Sequence, residues 1–376
     1  MTTDYQGQVE ELLDQAASLP DGPSKVALLE EAVRLADVHQ DVILGDTVRA
    51  KLIEAATFSG YPEKALVAFS WRLGQCDRNP TQFPESKLLW QYKWIASKLD
   101  NFPQISRQQI EDAFDDMTRR YQRAGAKLRP IFEIRWDMAL AMGEPDQARK
   151  YYRLWEKAPR DSHTDCLACE QQGRVYFHVE MGKNVKALEL AEQILRGRMR
   201  CRTIPHRTYA QVLMPLLKLR QVEKAVEYHR KGYRLIRNNL TFLYTTSAHL
   251  TFLVLTDNLL RALKMFEDHL GWALNSKDPY ACWRFYLAAH LLMSRLAESG
   301  QTTFKLRLPK TAPCYQEGSR YEVSDLASWI HKTCLDLATR FDARNGNDSF
   351  VRRLKGQGRL KRWLRPYPLG RARKGE

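Results

Sequence analysis

One punctuation mark recurs along this chain. A glycine stands five residues before an alanine at Gly22 and Ala27, Gly60 and Ala65, Gly143 and Ala148, and Gly182 and Ala187. Ala225 and Ala262 continue the series, with Arg220 and Asp257 in place of the glycine. From Ala148 the alanines step by 39, 38 and 37 residues, and Ala27 to Ala65 is 38. Glycine accepts the left-handed backbone that ends a helix. A small alanine early in the next helix lets the two helices approach closely. Between these marks apolar residues recur at helical spacing, and strand-like alternation is almost absent. A period near 38 in such a chain points to stacked αα-hairpins, each burying its apolar face against its neighbours.

The pattern predicts helices over 7–18, 24–38, 41–58, 62–76, 85–99, 106–123, 129–142, 145–157, 165–181, 184–197, 206–219, 222–237, 242–256, 259–274, 279–299 and 323–343. Pro215 falls inside one of them and should kink or split it. Ser106 and Gln109 have the spacing of a capping box. The sequence divides into a helical-repeat region at 1–299, an irregular loop or short hairpin at 300–321, a capping helix at 322–350 and a basic flexible tail at 351–376. Within 300–321 the alternation at 304–308 suits a short strand or an extended loop equally. The polar run 342–347 reads as a helix C-terminal cap. Gly356, Gly358, Pro366, Pro368 and Gly370 should fray the tail.

The register resembles that of the tetratricopeptide-repeat family over roughly residues 20–275. The family's small residue early in the second helix matches Ala27, Ala65, Ala148, Ala187, Ala225 and Ala262. Its aromatic four residues later matches Phe69, Tyr152 and Phe266, whereas Glu31, Ala191 and His229 stand there in the other repeats. The family's Trp-Leu-Gly-Tyr signature is mostly missing, and the repeat exceeds the usual ~34 residues. Runs such as Leu88–Trp94 and Pro205–Tyr209 are similar to those of bacterial members. The resemblance implies an all-α, right-handed superhelical solenoid whose first helices line a concave face. Protein or peptide partners usually bind there. Trp90, Trp94 and Tyr209 are the expected contacts, with Tyr92, Tyr176, Phe177, Tyr244 and His249 as further candidates for that face or for the core.

The bulk numbers narrow the class. With 44% hydrophobic and 27% charged residues the chain can build a core. No apolar run is long enough for a transmembrane helix. The first residues show neither a basic n-region nor an apolar h-region, so a cytoplasmic protein is expected. Seven cysteines, an odd number, fit a reducing compartment better than a disulfide framework. The net charge is +15, but residues 351–376 hold ten Lys or Arg against one Glu, which is +9 of the total.

Two constellations carry chemistry. Cys166-x-x-Cys169 opens a helix, and the chain runs out and back so that Cys201 and His206 return to the same edge. Three thiolates and an imidazole could close a tetrahedral structural zinc site. The same residues could equally be small packing residues and a polar turn histidine. No βαβ pattern supports a redox role for the C-x-x-C. His178-Val179-Glu180 echoes the H-x-E of zinc deaminases, but it follows the cysteine pair instead of preceding it.

The second constellation is the tail: Arg352, Arg353, Lys355, Arg359, Lys361, Arg362, Trp363, Arg365, Tyr367, Arg371, Arg373 and Lys374. Interleaved cations and aromatics can neutralise phosphates and stack on bases. They can also meet an acidic protein or an anionic membrane, or merely solubilise. Phosphate-loop, nucleophile-elbow and H-E-x-x-H motifs are absent. The expectation is a non-catalytic protein-binding scaffold, with nucleic-acid binding through the basic tail as the alternative.

Overall fold

A computed structural model describes residues 5–370, which are mostly helical, with one two-stranded ribbon. In chain order the helices are α1 (Tyr5–Ser18), α2 (Pro23–Val38), α3 (Val42–Ser59), α4 (Pro62–Arg78), α5 (Leu89–Ala96), α6 (Arg107–Arg123), α7 (Arg129–Ala141), α8 (Pro145–Lys157), α9 (Leu167–Glu180) and α10 (Asn184–Leu195). They continue with α11 (His206–Gln211), α12 (Leu213–Lys218), α13 (Val222–Ile236), α14 (Leu243–Leu255), α15 (Leu259–Asn275), α16 (Pro279–Glu298), α17 (Val323–Asn345) and α18 (Ser349–Lys355). The chain divides into two compact units. The first comprises Met1–Arg135, Lys150–Thr164 and Asn239–Thr241; the second comprises Trp136–Arg149, Asp165–Asn238 and Phe242–Glu376. The expected boundary at 299/300 therefore falls inside the second unit.

In the first unit α1 to α4 pack in sequence, with Val9, Ala32 and Val48 sealed between them. Buried arginines tie this unit together. Arg72 grips Asp46 with two nitrogens, at 2.7 and 2.9 Å, and Arg120 reaches Asp116, Asp77 and Glu85 at 2.7, 2.7 and 3.1 Å. The capping box forms as expected: the Gln109 N–H donates to Ser106 Oγ at 3.1 Å, and the Ser106 N–H donates to Gln109 Oε1 at 2.8 Å. The helix expected over 85–99 is shorter. It is α5 flanked by 3-10 turns at Glu85–Lys87 and Leu99–Asn101. Phe102 is extended (φ −111°, ψ 105°), as the following Pro103 favours.

The recurring turn is a real structural unit. Gly60, Gly143 and Gly182 are left-handed, with φ of 83°, 83° and 71°. Arg220 and Asp257 adopt the same conformation, both at φ 59°. After each, the next amide reaches back to the carbonyl five residues earlier: Tyr61 to Ala56, Glu144 to Ala139, Lys183 to His178, Gln221 to Leu216 and Asn258 to Leu253. That is the closing bond of a Schellman turn. Ala65, Ala148, Ala187, Ala225 and Ala262 are each at most 1% exposed.

The first member of the expected series fails. Gly22 is extended (φ 164°), Ala27 is exposed, and Gln40 supplies the left-handed turn after α2. Elsewhere the helix starts two residues after the left-handed position; here Pro23 starts it immediately. One residue rotates a helix face by about 100°, so Val26, Leu29, Ala32 and Ala36 point inward instead.

In the second unit α9 packs on α10, α13 on α11 and α12, and α15 on α14. The leading helices also touch in succession, α9 to α11, α11 to α14 and α14 to α16. The helix expected over 206–219 is split, with α11 ending at Gln211. Pro215 has no N–H to give the Gln211 carbonyl, so the i→i−4 ladder breaks there. Strands β1 (Thr303–Lys305) and β2 (Arg320–Glu322) pair antiparallel, with Phe304 opposite Tyr321. Gly346 (φ 68°) ends α17, as expected of the 342–347 run.

The expected flexible tail is instead packed as far as the description reaches. The buried Asp342 carboxylate accepts the N–H groups of Phe350 and Val351, both at 2.8 Å, and so caps α18. A 3-10 stretch at Gly356–Trp363 follows. The chain then lies extended along the end of α14. The Arg365 N–H donates to the Leu255 carbonyl at 2.8 Å, that of Tyr367 to the Thr256 carbonyl at 3.1 Å, and that of Leu369 to Asn258 Oδ1 at 3.0 Å. Pro366 and Pro368 occupy the alternate, exposed positions, where no donor is needed. The prolines thus suit a docked extended segment. Arg371, Arg373 and Lys374 lie outside the described residues.

Candidate metal centre

A small cluster of Ala168, Ile194 and Ile204 positions the cysteines. Cys166 is the extended N-cap of α9, and Cys169 sits in its first turn. The chain leaves α10, turns at the left-handed Gly197 (φ 76°), and closes a tight turn in which Cys201 and Ile204 exchange backbone bonds, both at 3.2 Å. Ile204 is 2% exposed and anchors that turn. The Sγ atoms of Cys166, Cys169 and Cys201 all lie within 4.8 Å of one another. Tetrahedral zinc with Zn–S of about 2.3 Å needs sulfurs about 3.8 Å apart. The trio could hold a metal ion after a small contraction.

The thiols do not titrate alike. Burial pushes the Cys166 thiol up, but the N–H groups of Cys169 and Ala168 and bonds with the other two thiols outweigh it and lower its pKa. Cys169 is pushed far up, by burial first and then by Asp165, Cys166 and Cys201. The thiolate at the helix N-terminus is favoured, and that of Cys169 is held back by burial and then by neighbouring charge. A bound cation would relieve that repulsion.

His206 does not join the trio. Its ring lies flat on Phe242, with centroids 5.3 Å apart and planes 9° apart, and burial lowers its pKa. Stacking on a core aromatic, rather than proximity along the chain, sets its orientation.

The other expected site residues divide by burial. Trp90 and Trp94 are half-buried and meet edge to face at 6.2 Å; Lys93 Nζ sits 3.7 Å over the Trp90 ring. Tyr209 is core, not surface. It is 9% exposed, packs on Tyr228, and lies so close to Gly232 that a Cβ there would meet its own at 2.6 Å. Tyr92, Phe177 and His249 are buried, whereas Tyr176 and Tyr244 are half-buried. In the basic segment Arg352 pairs with Asp348 at 3.3 Å, Lys361 pairs with Glu298, and Arg353 donates to the Leu140 carbonyl at 3.3 Å. The Arg365 guanidinium folds back on the Leu364 carbonyl at 2.7 Å. Lys355, Arg359 and Arg362 are exposed and have no ion-pair partner among the described residues.

Sequence reasoning missed Arg284 and the buried histidines 229 and 269. Tyr280 and Arg284 do share an i,i+4 spacing, but nothing local says that α14 brings Tyr244 beside them. No protein-family model matches the chain, and no curated protein matches it in sequence. No helix among the described residues is long and apolar enough to cross a membrane.

Proposed function

We propose that this is a non-catalytic protein–protein interaction scaffold, a right-handed solenoid of tetratricopeptide-like helix pairs that binds a cytoplasmic protein partner on the face of its first helices. The recurring Schellman turn with its buried alanine carries this reading, supported by the succession of contacts through α9, α11, α14 and α16. A zinc ion on Cys166, Cys169 and Cys201 would pin the start of α9 to the turn after α10, a structural role. The test is capture of a defined partner by wild type and by a Trp90→Ala, Trp94→Ala double variant that still folds. Binding lost in the variant supports the reading. A partner held equally well by every first-helix variant overturns it.

A second reading is nucleic-acid association through the basic segment. It is favoured by the unpaired, exposed Lys355, Arg359 and Arg362, the last lying 5.1 Å over the Trp363 ring. Charge reversal of these three should abolish binding to a single-stranded oligonucleotide and flatten its dependence on salt by about two to three phosphate contacts. Unchanged binding removes this reading.

A further inference from the structure

Arg284, on the second turn of α16, is half-buried and makes no hydrogen bond or ion pair to any described residue. Its guanidinium lies 4.8 Å over the ring of Tyr244. Tyr244 in turn stacks on Tyr280, with centroids 5.8 Å apart and planes at 19°. Tyr176 of α9 lies within electrostatic reach of Tyr244, Tyr280 and Arg284. None of these three tyrosine hydroxyls has a protein partner among the described residues, and none is sealed from solvent. A guanidinium and three hydroxyls thus lie beside stacked aromatic rings, none of them hydrogen-bonded to a described residue. A guanidinium carries five N–H donors in a planar fork, and leaving it half-desolvated and unpaired is unfavourable. All the residues belong to the second unit.

Arg284 is a cation with no ion-pair partner among the described residues, so the group it lacks is an anion. The fork of Arg284 matches a carboxylate with two parallel bonds, and the ring faces suit an aromatic or apolar body.

We propose that Arg284, Tyr176, Tyr244 and Tyr280 bind a small monocarboxylate with an aromatic or apolar body, the guanidinium and hydroxyls holding the carboxylate and the rings holding the rest. This is a small-ligand site, separate from partner binding, so its failure leaves the scaffold reading intact.

The test is calorimetric titration of the full chain with benzoate, its neutral isostere benzamide, and inorganic phosphate. Benzoate should saturate one site, and benzamide should bind at least tenfold more weakly. Tyr244→Phe, which keeps the ring and loses the hydroxyl, should weaken benzoate roughly tenfold, as expected for a hydrogen bond to a charged group. Arg284→Gln should abolish binding while circular dichroism reports an intact fold. Absence of benzoate binding, equal binding of benzamide, or undiminished binding by Arg284→Gln overturns the proposal. If Arg284→Gln does not fold, undiminished affinity in Tyr244→Phe overturns it instead. Phosphate binding tighter than benzoate overturns the assignment to a monocarboxylate.

Discussion

The imidazoles of His229 and His249 meet Nδ1 to Nδ1 at 3.1 Å between α13 and α14, and both rings are almost sealed from water. One nitrogen must donate and the other accept, so the two rings cannot both be charged without losing the bond. A third histidine, His269, is 2% exposed and meets the Tyr233 hydroxyl through Nε2 at 2.9 Å. Burial first, then Arg261 and Arg230, lowers the His229 pKa to about 3. Burial lowers that of His269 to about 4 against a smaller opposing effect of Asp268, and that of His249 well below the usual range.

These shifts set the sign of an acid response. The folded pKa values lie below the unfolded value of about 6.5, so the unfolded chain binds more protons as pH falls. The stabilisation is fully present above about pH 6.5 and drains away below it. With three sites the slope should approach about 4 kcal/mol per pH unit near pH 5. Urea midpoints measured from pH 7 to 4.5 should fall steeply, and a folded His269→Gln variant should lose about a third of the slope. A flat profile would mean that these rings are charged or solvated in the folded chain.

Arg220 occupies a left-handed position at φ 59° and is exposed at the turn between α12 and α13. An L-residue there costs roughly 1–2 kcal/mol that glycine avoids, offset in part by glycine's larger unfolded entropy. Arg220→Gly should therefore stabilise the protein by about 0.5–1 kcal/mol in urea melts. Asp257→Gly should gain less, because it also loses the contact of Asp257 with Arg295 at 3.1 Å. No gain from Arg220→Gly would show that its side chain supports the turn.

Elemental analysis of protein purified without chelator should give one zinc per chain. Cys201→Ser should lose the metal, since among the described residues three thiols and no fourth ligand converge, and should melt at a lower temperature. Metal-free wild type that melts at the same temperature with and without added zinc would leave the cysteines as packing residues.

Truncation after Asn347 should destabilise the chain rather than trim a loose end. It removes Phe350, Leu354 and Leu369, which are 1%, 3% and 7% exposed. Phe350 alone stacks on Phe341 at 4.7 Å and packs on Trp283 at 4.4 Å. Phe350→Ala should cost about 3–5 kcal/mol, read from denaturant midpoints. Hydrogen exchange should find the amides of Arg365 and Tyr367 protected; fast exchange there would mean that the segment detaches.

Much of the local chemistry was readable along the chain. The Ser106–Gln109 box, the break at Pro215, the cap at Gly346 and the turns at Gly60, Gly143 and Gly182 each depend on residues within about one helical turn of each other. The cysteine trio was also legible, because a single out-and-back hairpin returns Cys201 to Cys166.

Other outcomes depended on partners far away in sequence. His206 preferred the face of Phe242 to the thiols, and Tyr209 disappeared into the core against Gly232. The prolines of the last segment, read as breakers, proved compatible with docking once Leu255, Thr256 and Asn258 offered acceptors on one side only. Arg284 drew no notice along the chain, because α14 alone sets Tyr244 beneath it. A spacing specifies which residues share a turn, since that geometry is carried by φ and ψ alone. Which side chain is buried, stacked or left without a partner is decided by the surface that a distant helix brings against it.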